Sequence, residues 1–243
     1  MYHDVHDLKE YYESFQGRVV QRLIRQRIRN LWPEIKGLRL LGLGYATPCL
    51  RPFLGEASQV AALMPARQGV VFWPPDGKGL TALCDEGEWP IETNSIDRLV
   101  IMHFLENTDK MEEALQEAWR IMSGSGRVLL IVPNRSGFWA KSDRTPFGHG
   151  TPYTVMQIHK ILRQNLFVPE RSERALFFPP SRSRLMLVLA PAFERFGARF
   201  FHAFGGVNII EASKQLYAPT VAGTPARSKA QRVVVVPEIS RRS

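Results

Sequence analysis

The sequence is poor in the features that mark membrane-spanning, secreted and zinc-binding chains. No segment approaches the roughly 20 uninterrupted apolar residues of a spanning helix, and residues 1–13 are polar and acidic rather than signal-like. Cys49 and Cys84 are far apart and have no C-x-x-C or histidine pattern beside them, which argues against disulfide and zinc sites. His3 and His6 have metal-like spacing but no third ligand. We expect a cytoplasmic chain with no membrane span and no metal site.

Two regions of the chain carry clusters of basic residues. Lysine and arginine (32 residues) outnumber the 23 acids, which gives a formal charge of +9. Four arginines at spacings of four, three and four residues share one helical face: Arg18, Arg22, Arg25 and Arg29. Residues 217–243 add five more cations. Aromatic residues do not interleave with either region, so a solvated surface is favoured over a nucleic-acid interface, which stays possible.

The two ends of the chain differ from its middle. Apolar residues recur near the 3.6-residue period from residue 8 to residue 31, and Pro33 and Gly37 follow them. Residues 8–31 are therefore predicted to form one amphipathic helix, so that residues 1–37 pack on the core. Residues 217–243 are rich in Pro, Gly, Thr, Ala and Ser, which predicts a basic and mostly disordered tail, with 233–236 as a candidate edge strand.

The middle of the chain alternates between short apolar segments and turn signals. Strands are predicted at 39–43, 59–63, 80–84, 96–102 and 127–132. A helical stripe from Met111 to Met122 joins the last two strands, and residues 123–126 stop that helix. Strand, helix and strand make a right-handed crossover unit. The sequence thus predicts an α/β fold with a doubly wound, mostly parallel sheet and helices on both faces.

The last part of the predicted domain contains a long loop and two late apolar segments. Residues 134–153 are polar and aromatic, and Thr154 can cap a helix that runs to about residue 164. A loop of this length usually serves a site, and its His149 and Tyr153 are candidates for binding or deprotonating a substrate. The other hypothesis is a loop that prolines stiffen and buried aromatic residues anchor. Beyond it, 185–189 and 207–212 are strand candidates, of which the second is better, and a short helix is predicted around 193–201.

Three segments carry a resemblance to a known family. They are residues 40–47 (LLGLGYAT), 84–91 (CDEGEWPI) with the strand after it, and 114–133 (ALQEAWRIMSGSGRVLLIVP). Together they resemble the class I S-adenosylmethionine-dependent methyltransferases, specifically the type 11 subgroup. The similarity runs from residue 38 to 164, with a weaker match to residue 216. It implies a seven-stranded Rossmann-like methyltransferase sheet in residues 38–216.

The resemblance also implies S-adenosylmethionine as the cofactor. Glycine in the turn after the first strand lets the backbone approach the cofactor, where a side chain would block it. In relatives an acid at the position of Asp85 meets the adenine amino group. His103 follows the fourth strand, at the edge where ligands lie in open α/β sheets. The residues predicted to line the cofactor site are Gly42, Gly44, Tyr45, Ala46, Met64, Asp85, Glu86 and His103.

The sequence departs from the family where the ribose would bind. Relatives carry an acid at the end of the second strand, and it accepts two charge-assisted hydrogen bonds from the ribose hydroxyls. Here Met64 occupies that place and cannot accept them. Gly42 also stands where relatives have an acid, and Ala46 and Pro48 stand where they have glycine. Losing one hydrogen-bonded carboxylate costs on the order of 1.5–3 kcal/mol, or roughly ten- to a hundredfold in affinity.

Three functional hypotheses follow. The leading one is a methyltransferase acting on an unidentified small-molecule or protein substrate, with residues 134–153 facing the substrate and with His149 and Tyr153 as catalytic candidates. Methyl transfer from a sulfonium needs alignment more than acid–base help. The alternative is a methyltransferase-like binding or regulatory protein that has lost the cofactor and holds a protein partner through its N-terminal helix or the 134–153 loop. The third, motivated by the basic charge, is a nucleic-acid-modifying enzyme.

Overall fold

A computed structural model describes residues 4–216 of the chain. Seven strands form its one large sheet: β1 (Arg39–Gly44), β2 (Gln59–Pro65), β3 (Thr81–Cys84), β4 (Ile96–Met102), β5 (Met122–Pro133), β6 (Phe167–Ala175) and β7 (Val207–Lys214). Their order across the sheet is β3-β2-β1-β4-β5-β7-β6. The strands β1 to β5 pair in parallel, whereas β7 is antiparallel to both β5 and β6. The predicted α/β class and the mostly parallel sheet of seven strands are therefore confirmed.

Helices cover both faces of this sheet. They are α1 (Val5–Glu13), α2 (Phe15–Leu31), α3 (Thr47–Leu50), α4 (Met111–Ile121), α5 (Val155–Gln164) and α6 (Arg184–Phe200). Alternate residues of each buried strand belong to two separate apolar cores, as Leu40 and Leu41 of β1 illustrate. One core contains α1, α2, α3 and α6, and the other contains α4 and α5. This double burial explains why the central strands read as continuous apolar runs.

The predicted single helix over residues 8–31 is wrong, because the chain breaks at Ser14. Ser14 has an extended backbone (ψ 163°), and its hydroxyl oxygen accepts a hydrogen bond from the Gly17 N–H at 3.0 Å. The same hydroxyl donates to the Tyr11 carbonyl at 2.6 Å. A Cβ at Gly17 would overlap the Tyr11 carbonyl. The serine cap and the bare glycine therefore let α1 turn away from α2 and pack against the sheet edge.

The arginine face of α2 is only partly solvated. Arg25 donates to the Pro48 carbonyl, and Arg29 forms a 2.7 Å ion pair with Glu56. Arg18 and Arg22 are exposed. Half of the predicted stripe thus holds α2 against the segment that follows β1, and the other half faces solvent.

Other parts of the fold differ from the predictions or lie outside the described residues. Residues 185–189 are not a strand, because α6 begins at Arg184 and includes both this segment and the predicted short helix at 193–201. The strand β5 starts at Met122, so residues 123–126 belong to it. The polar edge strand β6 was not predicted, because charged residues replace the apolar alternation there. Residues 217–243, including 233–236, lie outside the described part of the chain.

Candidate functional site

The sheet reverses its strand order at one point, and the predicted cofactor turn lies there. From β1 the chain moves outward to β2 and β3, then crosses to β4 on the other side of β1. Gly44 at the end of β1 is in register with Met102 at the end of β4. Ligands of open α/β sheets bind outside the carboxyl ends of the strands at such a switch point. The turn at residues 44–47 and His103 both lie at this edge.

Steric contacts around Gly42 and Gly44 leave little room for a side chain at either position. Gly44 has a left-handed φ of +73°, and a Cβ there would overlap the Met102 carbonyl and lie 3.0 Å from the Phe104 Cβ. A Cβ at Gly42 would lie 2.7 Å from Leu50 Cδ1. Close packing of the turn on β4 therefore requires glycine at position 44, independently of any ligand, whereas a Cβ at position 42 would meet only the side chains of Leu50 and Ala46.

The helix α1 lies over this turn. Tyr45 is buried and stacks on Tyr12 of α1, with ring centroids 5.6 Å apart. Burial raises the pKa of Tyr45 to about 12. Val5 and Leu8 are also buried, and the Val5 N–H donates to the Gln68 carbonyl at 2.9 Å. In this conformation α1 closes the edge of the sheet above Tyr45 and Ala46.

A polar cluster lies beneath α1 at the end of β4. We call it the β4-end cluster, and its members are Gln68, His103, Glu106 and Asn107. His103 Nε2 is 2.8 Å from the Tyr12 hydroxyl, and its backbone carbonyl accepts from Gln68 Nε2 at 3.2 Å. Its Nδ1 lies 3.3 Å from Glu106 Oε1 without hydrogen-bond geometry. Burial is the main cause that raises the pKa of Tyr12, which keeps its phenol protonated.

The cluster contains buried acceptors that lack donors. Both carboxylate oxygens of Glu106, Oε1 of Gln68 and Oδ1 of Asn107 have no hydrogen-bond partner within residues 4–216. The side chains of His103 and Glu106 are each only 1% exposed. Most buried polar groups in proteins are paired, so this concentration of unpaired acceptors at a switch point makes the β4-end cluster the candidate site.

The two acids after β3 lie in different environments. Asp85 is exposed and accepts from the Gly87 N–H at 3.0 Å and from Lys110 Nζ at 3.3 Å. The hydrogen bond from Gly87, followed by the one from Lys110, lowers the pKa of Asp85. Glu86 is buried, accepts from Thr108 Oγ1 at 2.5 Å and lies 3.7 Å from Arg67 Nε. Glu86 is therefore a buried acid, whereas Asp85 is a surface acid that accepts hydrogen bonds from Gly87 and Lys110.

Met64 contributes only apolar surface at the ribose position. It is fully buried in the core that contains α1 and α2, and it pairs with Leu83 of β3. Pro65 and Ala66 follow it, so the end of β2 offers no side chain that could accept hydrogen bonds from a ribose.

The loop at residues 134–153 is anchored against the β4-end cluster. The Thr151 N–H donates to the Glu106 carbonyl at 2.8 Å, and Tyr153 donates its hydroxyl to the Leu105 carbonyl at 3.3 Å. Burial and the nearby Glu106 raise the pKa of Tyr153, so its phenol is protonated near neutral pH and serves as a donor rather than a base. Phe147 packs on His103 with ring centroids 4.9 Å apart.

The two catalytic candidates are not equivalent in the structure. Tyr153 lies beside the β4-end cluster, whereas His149 Nε2 is 2.9 Å from the Asp143 carbonyl of its own loop. His149 is partly exposed. The contacts of the loop thus connect Tyr153 with the candidate site and connect His149 with the loop itself.

An open cleft borders the turn on its outer side. It has a volume of about 460 Å³ and lies between α1, α2, the β1–α3 turn and residues 71–75. Tyr12, Tyr45 and Thr47 line it, together with the charged side chains of Glu13 and Arg25. The cleft thus lies beside the stacked tyrosines, which are themselves buried.

Sequence reasoning missed several residues of this site. Glu106 and Asn107 follow His103 by three and four positions, so their place after β4 was a usable signal. Gln68 and Tyr12 gave no such signal, because only the tertiary fold brings them to His103. Within residues 4–216, no group of three or more His, Cys, Asp or Glu side chains could hold a metal ion. No helix in the same part of the chain is long and apolar enough to cross a membrane.

Comparisons with known proteins bear on the fold. No protein-family model matches the chain, and a search of curated proteins found no match. Among solved structures, a SAM-dependent methyltransferase from Thermotoga maritima has 15% identity and a TM-score of 0.60, covering 87% of this chain and 96% of that one. One from Archaeoglobus fulgidus has 19% identity and a TM-score of 0.60, covering 87% and 100%. A Haloferax volcanii methyltransferase, solved with its activator Trm112, has 12% identity and a TM-score of 0.57, covering 86% and 98%.

These neighbours share the architecture and little of the sequence. Fold similarity at such identities identifies the scaffold, and function depends on the residues of the site. This chain therefore has the fold of S-adenosylmethionine-dependent methyltransferases.

Proposed function

We propose that the chain binds S-adenosylmethionine at the carboxyl ends of β1 and β4 and transfers its methyl group to a small-molecule or protein substrate. The observation that carries the proposal is the set of buried, donor-less acceptors in the β4-end cluster. The methyltransferase fold of the structural neighbours supports the choice of ligand. We also propose membership of the type 11 subgroup, on the three sequence segments that resemble it.

The chemistry of the cluster fits the donors of S-adenosylmethionine at one end. The cofactor carries an ammonium group, ribose hydroxyls and an adenine amino group, all of which donate hydrogen bonds. Glu106 offers a buried carboxylate that suits a positively charged group, and Gln68 and Asn107 offer neutral acceptors. Glu86 lies further along the same edge, after β3, and is the buried acid nearest to the predicted adenine position.

The ribose end fits less well, because Met64 supplies no acceptor there. We therefore propose that affinity depends on the ammonium and adenine ends of the cofactor. When bound, S-adenosylmethionine supplies a methyl group on a sulfonium. The task of the chain is then to align the acceptor. The Tyr153 hydroxyl already donates to the Leu105 carbonyl, so its oxygen can orient the acceptor by accepting a hydrogen bond from it. His149 and Tyr153 stay the proposed catalytic residues.

Entry of the cofactor requires α1 to move. This helix stacks Tyr12 on Tyr45 and covers the turn, and Ser14 separates it from α2. We propose that α1 swings about Ser14 to admit the ligand and then closes over it, which would exclude water from the transfer step. The break at Ser14 supports this role, since a continuous helix could not move its first part alone.

Calorimetric titration of the full chain with S-adenosylmethionine and with S-adenosylhomocysteine tests the proposal. We expect micromolar affinity for both ligands. Glu106→Gln should weaken binding of S-adenosylmethionine about tenfold or more, because an amide pairs with the ammonium group of the ligand less strongly than a carboxylate does. Glu10→Gln, an exposed change on α1, should leave binding unchanged and serves as the matched control. Absence of heat up to millimolar ligand would instead favour a binding protein that has lost its cofactor.

Partners and location stay proposals. The Haloferax volcanii neighbour was solved with the activator Trm112, and we propose that a protein partner could use α2 or the 134–153 loop here. Exposed Arg18 and Arg22 keep a nucleic-acid contact open. If the protein is not retained on immobilised RNA or DNA at low salt, the nucleic-acid hypothesis is wrong. A cytoplasmic location is still an expectation from the sequence.

A further inference from the structure

A large apolar surface lies on α6 and the turns beside it. We call it the aromatic face, and its exposed members are Leu185, Val188, Leu189, Phe193, Phe196, Phe200, Phe201, Phe204 and Phe138. Leu185 is 69% exposed and Phe200 is 62% exposed. Leu187, Ala190, Glu194 and Gly197 form the buried side of the helix. The helix therefore has a packed inner side and an apolar outer side, which is unusual for a surface in contact with water.

A groove opens in this face. It has a volume of about 400 Å³ and lies between α6, residues 177–179 and the turn at 201–204. Six phenylalanines, one proline and one glycine line it. Its lining has no charged side chain, so the groove suits a hydrocarbon segment rather than a polar ligand.

Arginines border the aromatic face. At the 100° spacing of helix residues, Arg184, Arg195 and Arg199 lie along one edge of the exposed side of α6, next to the apolar residues. Arg182 precedes the helix, and all four arginines are exposed. The one acid of α6, Glu194, is buried on the opposite side, where it lies 3.6 Å from Arg27 and accepts from the Phe177 N–H. Every exposed charge of this helix is therefore positive.

We propose that the aromatic face docks on an anionic lipid membrane, with α6 lying in the plane of the interface. Interfacial helices combine a Phe- and Leu-rich side with Lys or Arg beside it, and their binding adds apolar burial to attraction for anionic lipids. α6 has 17 residues and a buried inner side, so it lies on the bilayer rather than across it. The arginines reach lipid phosphates while the phenylalanines enter the acyl boundary.

Two other occupants fit the face less well. The strand β7 starts at Val207, near the aromatic face, and ends at Lys214 near Arg127, so the last described residue, Leu216, lies at the opposite edge of the sheet from that face. A second copy of the chain would bring the arginine edges of two molecules together without exposed acids on α6 to neutralise them. Charge complementarity therefore favours the lipid surface.

Vesicle flotation of the full chain tests this docking. The vesicles contain phosphatidylcholine alone or phosphatidylcholine with phosphatidylglycerol. We expect the chain to float with the anionic vesicles at low salt and to bind the neutral ones more weakly. The double variant Phe196→Ser and Phe200→Ser should bind at least about tenfold more weakly, because it removes apolar burial. Charge reversal by Arg184→Glu and Arg199→Glu should weaken binding to the anionic vesicles at least about fivefold for each substitution.

Matched controls change exposed residues elsewhere on the surface. Met156→Ser on α5 is the apolar control, and Arg18→Glu with Arg22→Glu on α2 is the charge control. Both should float like the unchanged chain, and circular dichroism establishes that every variant is folded. Flotation that none of the α6 variants lowers would overturn the proposal, and so would no flotation with either vesicle at low salt.

Two further outcomes would show that another segment binds the lipid or that another molecule covers the aromatic face. If Arg241→Ala with Arg242→Ala abolishes flotation while the phenylalanine variant floats normally, the C-terminal segment binds lipid and the aromatic face does not. If sedimentation equilibrium finds a dimer that the phenylalanine variant dissociates, a second copy covers the face. Either result would contradict lipid docking by α6.

Discussion

Replacement of Gly44 by alanine is the sharpest test of how the turn after β1 is packed. Gly44 has φ +73°, and an added Cβ would overlap the Met102 carbonyl. A left-handed backbone costs a non-glycine residue about 1–2 kcal/mol. Forcing an extra carbon against well-packed neighbours costs about 1–3 kcal/mol more. Gly44→Ala should therefore lower the free energy of unfolding by about 2–5 kcal/mol.

Gly37→Ala is the matched control for that change. Gly37 also has a left-handed φ, +77°, but a Cβ there would meet nothing within 4 Å. Gly37→Ala should lower the free energy of unfolding only by the cost of a left-handed backbone, about 1–2 kcal/mol. Urea unfolding of both variants measures the difference from the midpoints at constant m. Equal losses in the two variants would refute the close approach of Gly44 to β4 on which the site geometry depends.

Three further predictions concern single side chains. Burial alone raises the pKa of Glu211, but the hydrogen bond from Arg171 and the neighbouring donors bring it below its usual value. The resulting stability is present above about pH 4.3 and is lost as the pH falls through the folded pKa. In urea unfolding at pH 7, Glu211→Gln should therefore lower the free energy of unfolding by about 1–3 kcal/mol. In acid the unchanged chain loses this contribution as well, so the difference between the two chains should become smaller. Tyr12→Phe removes the hydrogen bond to His103 and should speed amide exchange throughout α1, measured by mass spectrometry; unchanged exchange would mean that this bond does not hold the helix. Asp85→Ala should weaken any calorimetric affinity for S-adenosylmethionine, and unchanged affinity would remove the predicted role of Asp85 in the site.

The elements that were predicted best are those whose type follows from residues close together in the sequence. The unit β4–α4–β5 combines a buried apolar strand with a strong helical stripe, so its type and order follow from periodicity. The capping box of Thr154 and Gln157 likewise marks the start of α5. The break at Ser14 was missed because the apolar period continues across it. The edge strand β6 was missed because, within residues 4–216, it pairs with β7 alone and keeps charged residues on its surface.

The position of the candidate site follows from the sequence more directly than its composition does. A glycine turn after the first strand of an α/β sheet predicts where a ligand binds, and Gly44 and His103 do lie at the switch point. The cover that α1 forms over Tyr45 depends on contacts between residues far apart in the chain, such as Val5 with Gln68. No local pattern encodes such contacts, so the donor-less acceptors of the β4-end cluster emerge only from the folded chain.

A crystal structure of the full chain with S-adenosylhomocysteine is the decisive test of cofactor binding at this edge of the sheet. We expect density for the ligand under α1, at the ends of β1 and β4, with a donor within hydrogen-bond distance of Glu106 or Asn107 and with Tyr12 displaced from Tyr45. Density for the ligand at another place, or α1 still stacked on the turn at saturating ligand, would contradict it.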